Sequence, residues 1–551
     1  MALKKNVINV RNMTLRRLVR QLYRYMFLFQ LLASNITLTP VPNKDVMKHS
    51  KVLFLICAAL CLAACKERET AFDYHFHEVL ITPDIPSDVD TMLLKTLHPE
   101  TSLDTANWSN LAKIKRMFNI YSWQSLLAIN WPTDDQGNPL PDFTSNGNPE
   151  WMQWKEAYEV FRCGGEVPTP WGAERIVPCA DSSLLLRMGN SISRTSIKDK
   201  RTRILYLTNK NFANETTQAF TSGLKDKNGN LVYYEILMNR EEYDYIGQNS
   251  LYNLDGQIAY ANKSPDSITP ASFPSGIYNT PQKGAIEIKL AWRVLDPAKG
   301  DDPSRYITAD SYIPDAAGSN FTMKKVGLVG FHIAQNPTSC QQWVWSTFEH
   351  VDNLNTNTID AAVAGQKLTR PSFYKDYDPT HITNTAKYNG NGTSDTALSF
   401  TQCQRRISIP NDVAALNREV RGMLKDMGSA WQYYELIDTQ FPTNPAIAPT
   451  VYDPAKNNTA ESIINVSGGR PTPAYLTNIT MESYFQVGNQ RADSLIKFIG
   501  STTKVFGTQS CIGCHSSAAI CIGNNAGIPK WGPPLSGDFS WLLNKARWKE
   551  K

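Results

Sequence analysis

Near the carboxyl end of the chain, Cys511-Ile512-Gly513-Cys514-His515 places two thiols and an imidazole within five residues. Positions three apart lie on one side of a helical turn, so both sulfurs can add to the vinyl groups of a haem while the histidine offers a ring nitrogen to the iron. That is the chemistry of covalent, c-type haem attachment. Two other uses of CxxC fit less well. A structural zinc site needs a second pair of ligands at short spacing, and the nearest further thiol is the single Cys521. A thioredoxin-like redox pair follows a strand in a βαβ unit, and no such pattern precedes residue 511.

The 551-residue chain carries 56 Lys or Arg against 51 Asp or Glu, a net charge of +5. Its first 64 residues hold ten of the basic residues and one acid, Asp45, which leaves 46 basic and 50 acidic residues beyond them, or −4. The excess belongs to a leader, and no Lys/Arg stripe suggests nucleic acid. From Met47 the chain reads Lys48, His49, Ser50, Lys51, an apolar run from Val52 to Leu62, then Ala63-Ala64-Cys65. This is a basic start, a hydrophobic segment too short to span a bilayer permanently, and small residues before a cysteine. Leu62-Ala63-Ala64-Cys65 resembles the lipobox of bacterial lipoproteins, which implies a signal peptide over 47–64 and diacylation of Cys65. Residues 1–46, with Arg16-Arg17 ahead of Tyr25-Met26-Phe27-Leu28-Phe29, read as a second targeting element or, more simply, as sequence upstream of the true start. Lys66-Glu67-Arg68-Glu69 reads as a charged tether.

Thioether formation requires thiols and haem to meet outside the reducing cytosol, so export and haem attachment support one another. With Cys57 and Cys61 lost in the leader, Cys65 lipidated and Cys511 and Cys514 on haem, five thiols remain. Cys163 and Cys179 close a short, proline-containing loop whose disulfide contributes roughly 3 kcal/mol. Cys340 with Cys403 is a second pairing, and Cys521 is left over.

The elements that must position the motif span the rest of the chain. His75 and His77 share a face on the tether, which suits a metal or, more simply, solvent. Leu111, Ile114, Phe118 and Tyr121 recur at helical spacing up to a stop at Pro132, and Glu150 to Phe161 reads as a second helix. Asn228-Gly229 marks a hairpin turn before the strand pattern Leu231 to Met238. Ile286, Ile288, Leu290, Trp292 and Val294 alternate with Glu287, Lys289 and Arg293, the pattern of a strand with one wet face. Val326 to Ala334 and Gln341 to Val351 form a hairpin through Asn336-Pro337. Val413, Leu416, Val420, Leu424 and Met427 line a helix capped by Asn411 or Asp412.

The fold expected is α+β. A tether and N-terminal segment over 65–107 leads to a large β-rich region with helices over 108–440, a Pro-rich linker over 441–473, and a mostly helical haem-bearing segment over 474–551. That last segment is read as helices over 478–486, with Met481 and Tyr484, and over 493–499, then the haem turn, a rigid loop Pro529 to Pro534, and a final helix burying Phe539, Leu542, Leu543 and Ala546.

No Met or His follows His515, so a distal ligand comes from upstream, from another side chain such as Lys or Tyr, or not at all. Met481 ranks first by nearness in sequence, then His332 and His350. If residues 335 and 341 pair, His332 faces residue 344 and His350 lies about 20 Å further along, so the two do not serve one iron together. Glu349, His350 and Asp352 are a candidate acid/base cluster, although either histidine reads more simply as hydrogen-bonded within the sheet. Thioether ligation raises the haem potential, bis-imidazole lowers it, and an open position permits peroxide or gas chemistry.

The single CxxCH, the lipobox, and the blocks from Ser122 to Pro132, Trp345 to Asn353 and Asp538 to Leu543 together resemble large bacterial mono-haem cytochrome c family lipoproteins. The resemblance implies covalent haem on Cys511 and Cys514, His515 as axial ligand, and an envelope location in a Gram-negative bacterium, on the periplasmic side or the cell surface. Size and the missing downstream methionine set the chain apart from small cytochromes. Two functions follow as expectations: an electron-transfer lipoprotein serving envelope redox proteins, or a haem enzyme acting on peroxide or a small oxidisable molecule. No GxGxxG, P-loop, HExxH or GxSxG motif stands in a suitable context for a second cofactor, and no catalytic residue is assigned.

Overall fold

A computed structural model describes residues 79–97, 108–173, 175–176, 196–197, 202–205, 224–314, 321–340, 342–354, 371–373, 405, 408–442, 471–473, 476–482 and 511–550. All belong to one compact unit, His77–Lys551. Cys65, His75, Cys179, Cys403, Tyr484 and the expected helix over 493–499 lie outside the described residues.

A nine-stranded sheet organises the chain, and the fold is α+β. Its main path runs β9 (Pro471–Thr472), β8 (Tyr434–Pro442), β7 (Val344–His350), β6 (Phe321–Gln335), β4 (Ile286–Val294), β3 (Tyr233–Met238) and β1 (Lys155–Glu156). The first half of β6 pairs with β5 (Thr308–Pro314), which pairs in parallel with β2 (Thr202–Ile204). One sheet face carries Ile288, Leu290 and Trp292 of β4, Phe331 and Ile333 of β6 and Phe348 of β7. The helices α1 (Trp108–Ile129) and α4 (Asn411–Asp426) cover it. Both follow from their apolar stripes, with Trp123, Leu126 and Leu127 from α1 and Val413, Leu416, Val420 and Leu424 from α4 in the same core. Polar side chains register the layers: Ser122 Oγ lies 2.6 Å from both Ser346 Oγ and Thr439 Oγ1, and Asn417 accepts from Trp123 Nε1 at 3.1 Å.

The opposite face departs from expectation. Glu287 and Arg293 alternate with the apolar residues as predicted, yet they are buried, because residues 476–482 and the C-terminal segment lie over this face. Burying charge is tolerated here because the arginines are paired. Arg293 is held by Asp226 and Asp301 on this face, and on the helix-covered face Arg203 is held by Glu156 and Glu235.

Other expectations change in detail. Residues 150–160 form a 3-10 turn, strand β1 and a four-residue helix in place of one helix, because Lys155-Glu156 is drawn into pairing with β3. Helix α4 has Pro410 at its N-cap, and no side chain caps it. The β6–β7 hairpin pairs Gln335 with Val344, so His332 faces Thr347, because the connection extends through Trp343 in a left-handed conformation at φ 61°. Among its described residues the C-terminal part is not mostly helical. After α5 (Cys511–His515) come the hairpin β10 (Cys521–Asn525) and β11 (Ile528–Trp531) and a 3-10 turn at Trp541–Lys545, still burying Leu542, Leu543 and Ala546. Its core is continuous with α2 (Arg240–Gln248) and α3 (Leu254–Ala261), so it is built into the large region and is not a separate body. Cys163 is disulfide-bonded, and Cys340 is a free, buried thiol, which removes the Cys340–Cys403 pairing. No described helix is long and apolar enough to cross a membrane.

Gly330 sits beside a bulge in β6, where an added Cβ would come within 2.1 Å of Thr480 Oγ1. Gly330→Ala is expected to destabilise the fold by about 1–3 kcal/mol, because residues 478–482 must move off the sheet. Urea unfolding read by tryptophan fluorescence measures it.

Candidate haem-attachment site

The five-residue α5 is seated on the edge of the buried polar face. Gln440 of β8 accepts from the Ile512 backbone N–H at 2.8 Å and donates to Pro473 O at 2.7 Å. One carboxamide thus satisfies a first-turn N–H of α5 and ties it to the segment after β9. Ile512 packs into the core with Phe539 and Leu543, and the partly buried Cys511 packs against the edge of that core. Both are free thiols, and Cys511 Sγ lies 3.9 Å from Leu476 O. Burial raises the Cys511 thiol well above its ordinary range and pushes Cys514 up to about 12, with Glu482 adding to both shifts. The sulfurs are therefore protonated at neutral pH.

His515 is oriented by the chain that returns over α5. Its Nδ1 lies 2.7 Å from Phe539 O. A carbonyl oxygen can only accept, so the proton is on Nδ1 and Nε2 keeps its lone pair. Burial, opposed by that hydrogen bond, pushes the imidazole down to about 4, so the ring is neutral at pH 7. Asp538 and Phe539 both adopt left-handed backbone conformations, at φ 50° and 62°. Such conformations are costly for residues with a Cβ, and here they aim the Phe539 carbonyl at His515. Trp345 packs against the imidazole at a centroid distance of 4.1 Å.

A row of side chains on the sheet lies opposite. Ile236 of β3, Lys289 of β4, His332 of β6 and Thr347 of β7 are register partners across four strands. In β3, in β4 and in residues 326–335 of β6, every residue is buried except Ile236, Lys289 and His332, so the accessible surface of these strands is confined to one row. Glu482 closes it: His332 Nε2 lies 3.1 Å from Glu482 Oε1, and His332 Nδ1 lies 2.8 Å from Thr347 Oγ1. Burial by itself would raise the Glu482 carboxyl, but His332 holds it below the ordinary value. Burial lowers the Lys289 ammonium, opposed by Glu482. The fields of Lys289, His332 and Glu482 all act on His515, and those of Lys289 and Glu482 also act on Cys514, so row and motif face one another.

The remaining candidates sit elsewhere. Met481 is fully buried among Val329, Ile479, Tyr234 and Phe373, in a different cluster from Ile512 and Phe539. His350 has both ring nitrogens engaged, with Nε2 2.9 Å from Arg305 O and Nδ1 accepting from Asp352 N at 3.0 Å, and its ring stacks on Tyr306 at 4.0 Å. It is a structural histidine, pushed down to about 4 by burial. Glu349 and Asp352 are tied to Arg405 and Arg305, so the proposed acid/base cluster is a pair of separate ion pairs. Glu482 and Gln440 were not singled out by sequence reasoning, and Lys289, Trp345 and Phe539 were named there only as strand, sequence-block and core residues; for Lys289 the signal was present, as a charge within an otherwise apolar strand.

The donor set fits a covalently bound haem: two free sulfurs on one turn, and a neutral imidazole whose tautomer leaves Nε2 for iron. Comparison of the chain with protein-family models, with curated proteins and with solved structures returned no match.

Two outcomes test the site. Gln440→Ala leaves a buried N–H and a carbonyl without partners and is expected to cost about 1–3 kcal/mol, read from the urea midpoint. Burial pushes the Asp538 carboxyl up to about 7, far above an unfolded aspartate at about 4. The folded chain binds that proton more tightly, so this contribution to stability is present below about pH 4 and is lost as pH rises through 7. Asp538→Asn should therefore gain stability relative to the parent at pH 8 and not at pH 4.

Proposed function

We propose that this chain is a c-type cytochrome that carries one haem on Cys511 and Cys514, with His515 as an axial ligand. It would pass single electrons between redox proteins of a bacterial envelope, anchored to the membrane by lipid on Cys65. The observation that carries the reading is the His515 Nδ1 contact with Phe539 O, at 2.7 Å. It places a neutral imidazole, with Nε2 free, directly after two free thiols spaced for thioether bonds. Bound haem supplies a one-electron couple whose potential its surroundings set. This chain's residues orient the imidazole, bury the sulfurs and surround them with Lys289, His332 and Glu482. For the distal position the placements favour His332 over Met481 and His350, with Nε2 exchanging its contact with Glu482 for iron.

A second reading, a haem enzyme acting on peroxide, is favoured by the same His332–Glu482 pair if it stays intact. A hydrogen-bonded imidazole and carboxylate can hold and return a proton.

Protein matured in a host competent for cytochrome c assembly should gain the mass of one haem. Cys511→Ser with Cys514→Ser should abolish the gain, and both thiols remaining free in the parent would end the reading. A low-spin spectrum indifferent to added cyanide, turned high-spin by His332→Ala and not by Met481→Ala, supports the carrier. A high-spin ferric haem that binds cyanide in the parent supports the enzyme.

A further inference from the structure

Aromatic side chains lead from His515 to the surface, each in contact with the next. Trp345 lies 4.1 Å from the His515 ring, and Trp343 stacks on Trp345 at 6.2 Å with an interplanar angle of 25°. Phe273 meets Trp343 edge-on at 5.9 Å, and Tyr245 packs on Phe273 at 5.0 Å. The Tyr245 hydroxyl lies 2.8 Å from that of Tyr260, and Lys263 Nζ sits 4.1 Å over the Tyr260 ring. Lys263 is exposed and opens an exposed stretch after α3. Trp151 with Trp292, by contrast, stays within the core. Trp343 is also held at a positive φ of 61°, a conformation that bulky residues avoid and that brings its ring onto Trp345.

Electron transfer through protein slows exponentially with the gap to be crossed, so contacts between oxidisable rings divide a long transfer into short ones. We infer that Trp345, Trp343, Tyr245 and Tyr260 form an electron route between His515 and the surface beside α3, resting on the haem reading above. One electron travels along the rings from the haem that His515 would ligate to a one-electron oxidant docked near Lys263. The haem loses one electron and the oxidant gains one; a tyrosine oxidised in passing gives up its phenolic proton along its hydrogen bond and regains it on re-reduction, so no bond changes in the net transfer. Phe273 bridges Trp343 and Tyr245 without being oxidised itself.

The test places a photo-oxidisable ruthenium polypyridyl label on Lys263→Cys in the full chain. After a flash with a quencher, the hole should reach tryptophan, seen as indole-radical absorption, and then oxidise reduced haem. Trp343→Phe and Tyr245→Phe keep the ring packing and should each slow haem oxidation by about tenfold or more. The same label on the exposed Lys324→Cys should show no dependence on either substitution. Equal rates in parent and variants from position 263 overturn the route. Indole radicals lost in Trp343→Phe, in protein that carries no haem, support the route while removing the haem reading.

Discussion

Both faces of the central sheet are covered, and the one beneath the C-terminal segment carries a row of charged side chains. Transferring Glu287, Lys289, Arg293 and Glu482 out of water is unfavourable unless each meets a compensating group, so the chain covering that face must bring partners with it. Asp226 and Asp301 come from residues flanking β3 and β4, while Glu482 and the C-terminal segment come from the far end of the sequence. The CxxCH turn is for this reason part of the main fold. Ile512 shares a core with residues of α2, α3 and β7, and Gln440 of β8 holds the first turn of α5.

The site inherits its chemistry from that covering. A backbone carbonyl from the returning chain chooses the His515 tautomer, and two adjacent left-handed residues aim it. Strain of this kind persists where surrounding packing over-determines the backbone, and Phe539, Leu542 and Leu543 supply that packing. Across from His515, the polar row on the sheet places a histidine, a lysine and a glutamate around the CxxCH turn. The same row accounts for the fate of the other histidine. Three residues along β7 from the Thr347 that faces His332, His350 is sealed against Tyr306 and spends both nitrogens on backbone groups.

Helices α1 and α4 were legible because their apolar residues recur at a period that only a helix presents on one side. Strand β4 was legible too, but its charged alternation was misread as solvent exposure. Period two says only that the two faces differ, and says nothing about what lies over each. The final apolar group, Phe539, Leu542, Leu543 and Ala546, is buried as expected, yet in a 3-10 turn, since one short cluster is compatible with several backbone conformations. The hairpin register was missed because the connection after Gln335 runs through Trp343 at positive φ, a conformation that sequence gives no reason to expect of tryptophan.

The donor set of the proposed haem site was readable from five residues, since thiol spacing and an adjoining imidazole are local properties of one turn. Which groups face that turn was not. Lys289, His332 and Glu482 are separated by some 190 residues between the first and last, and only strand register and the return of the chain over the sheet bring them together. The donor set is encoded locally because a helical turn fixes short distances by itself. The environment that would set a haem's potential is decided by long-range packing, where no single stretch of sequence carries the information.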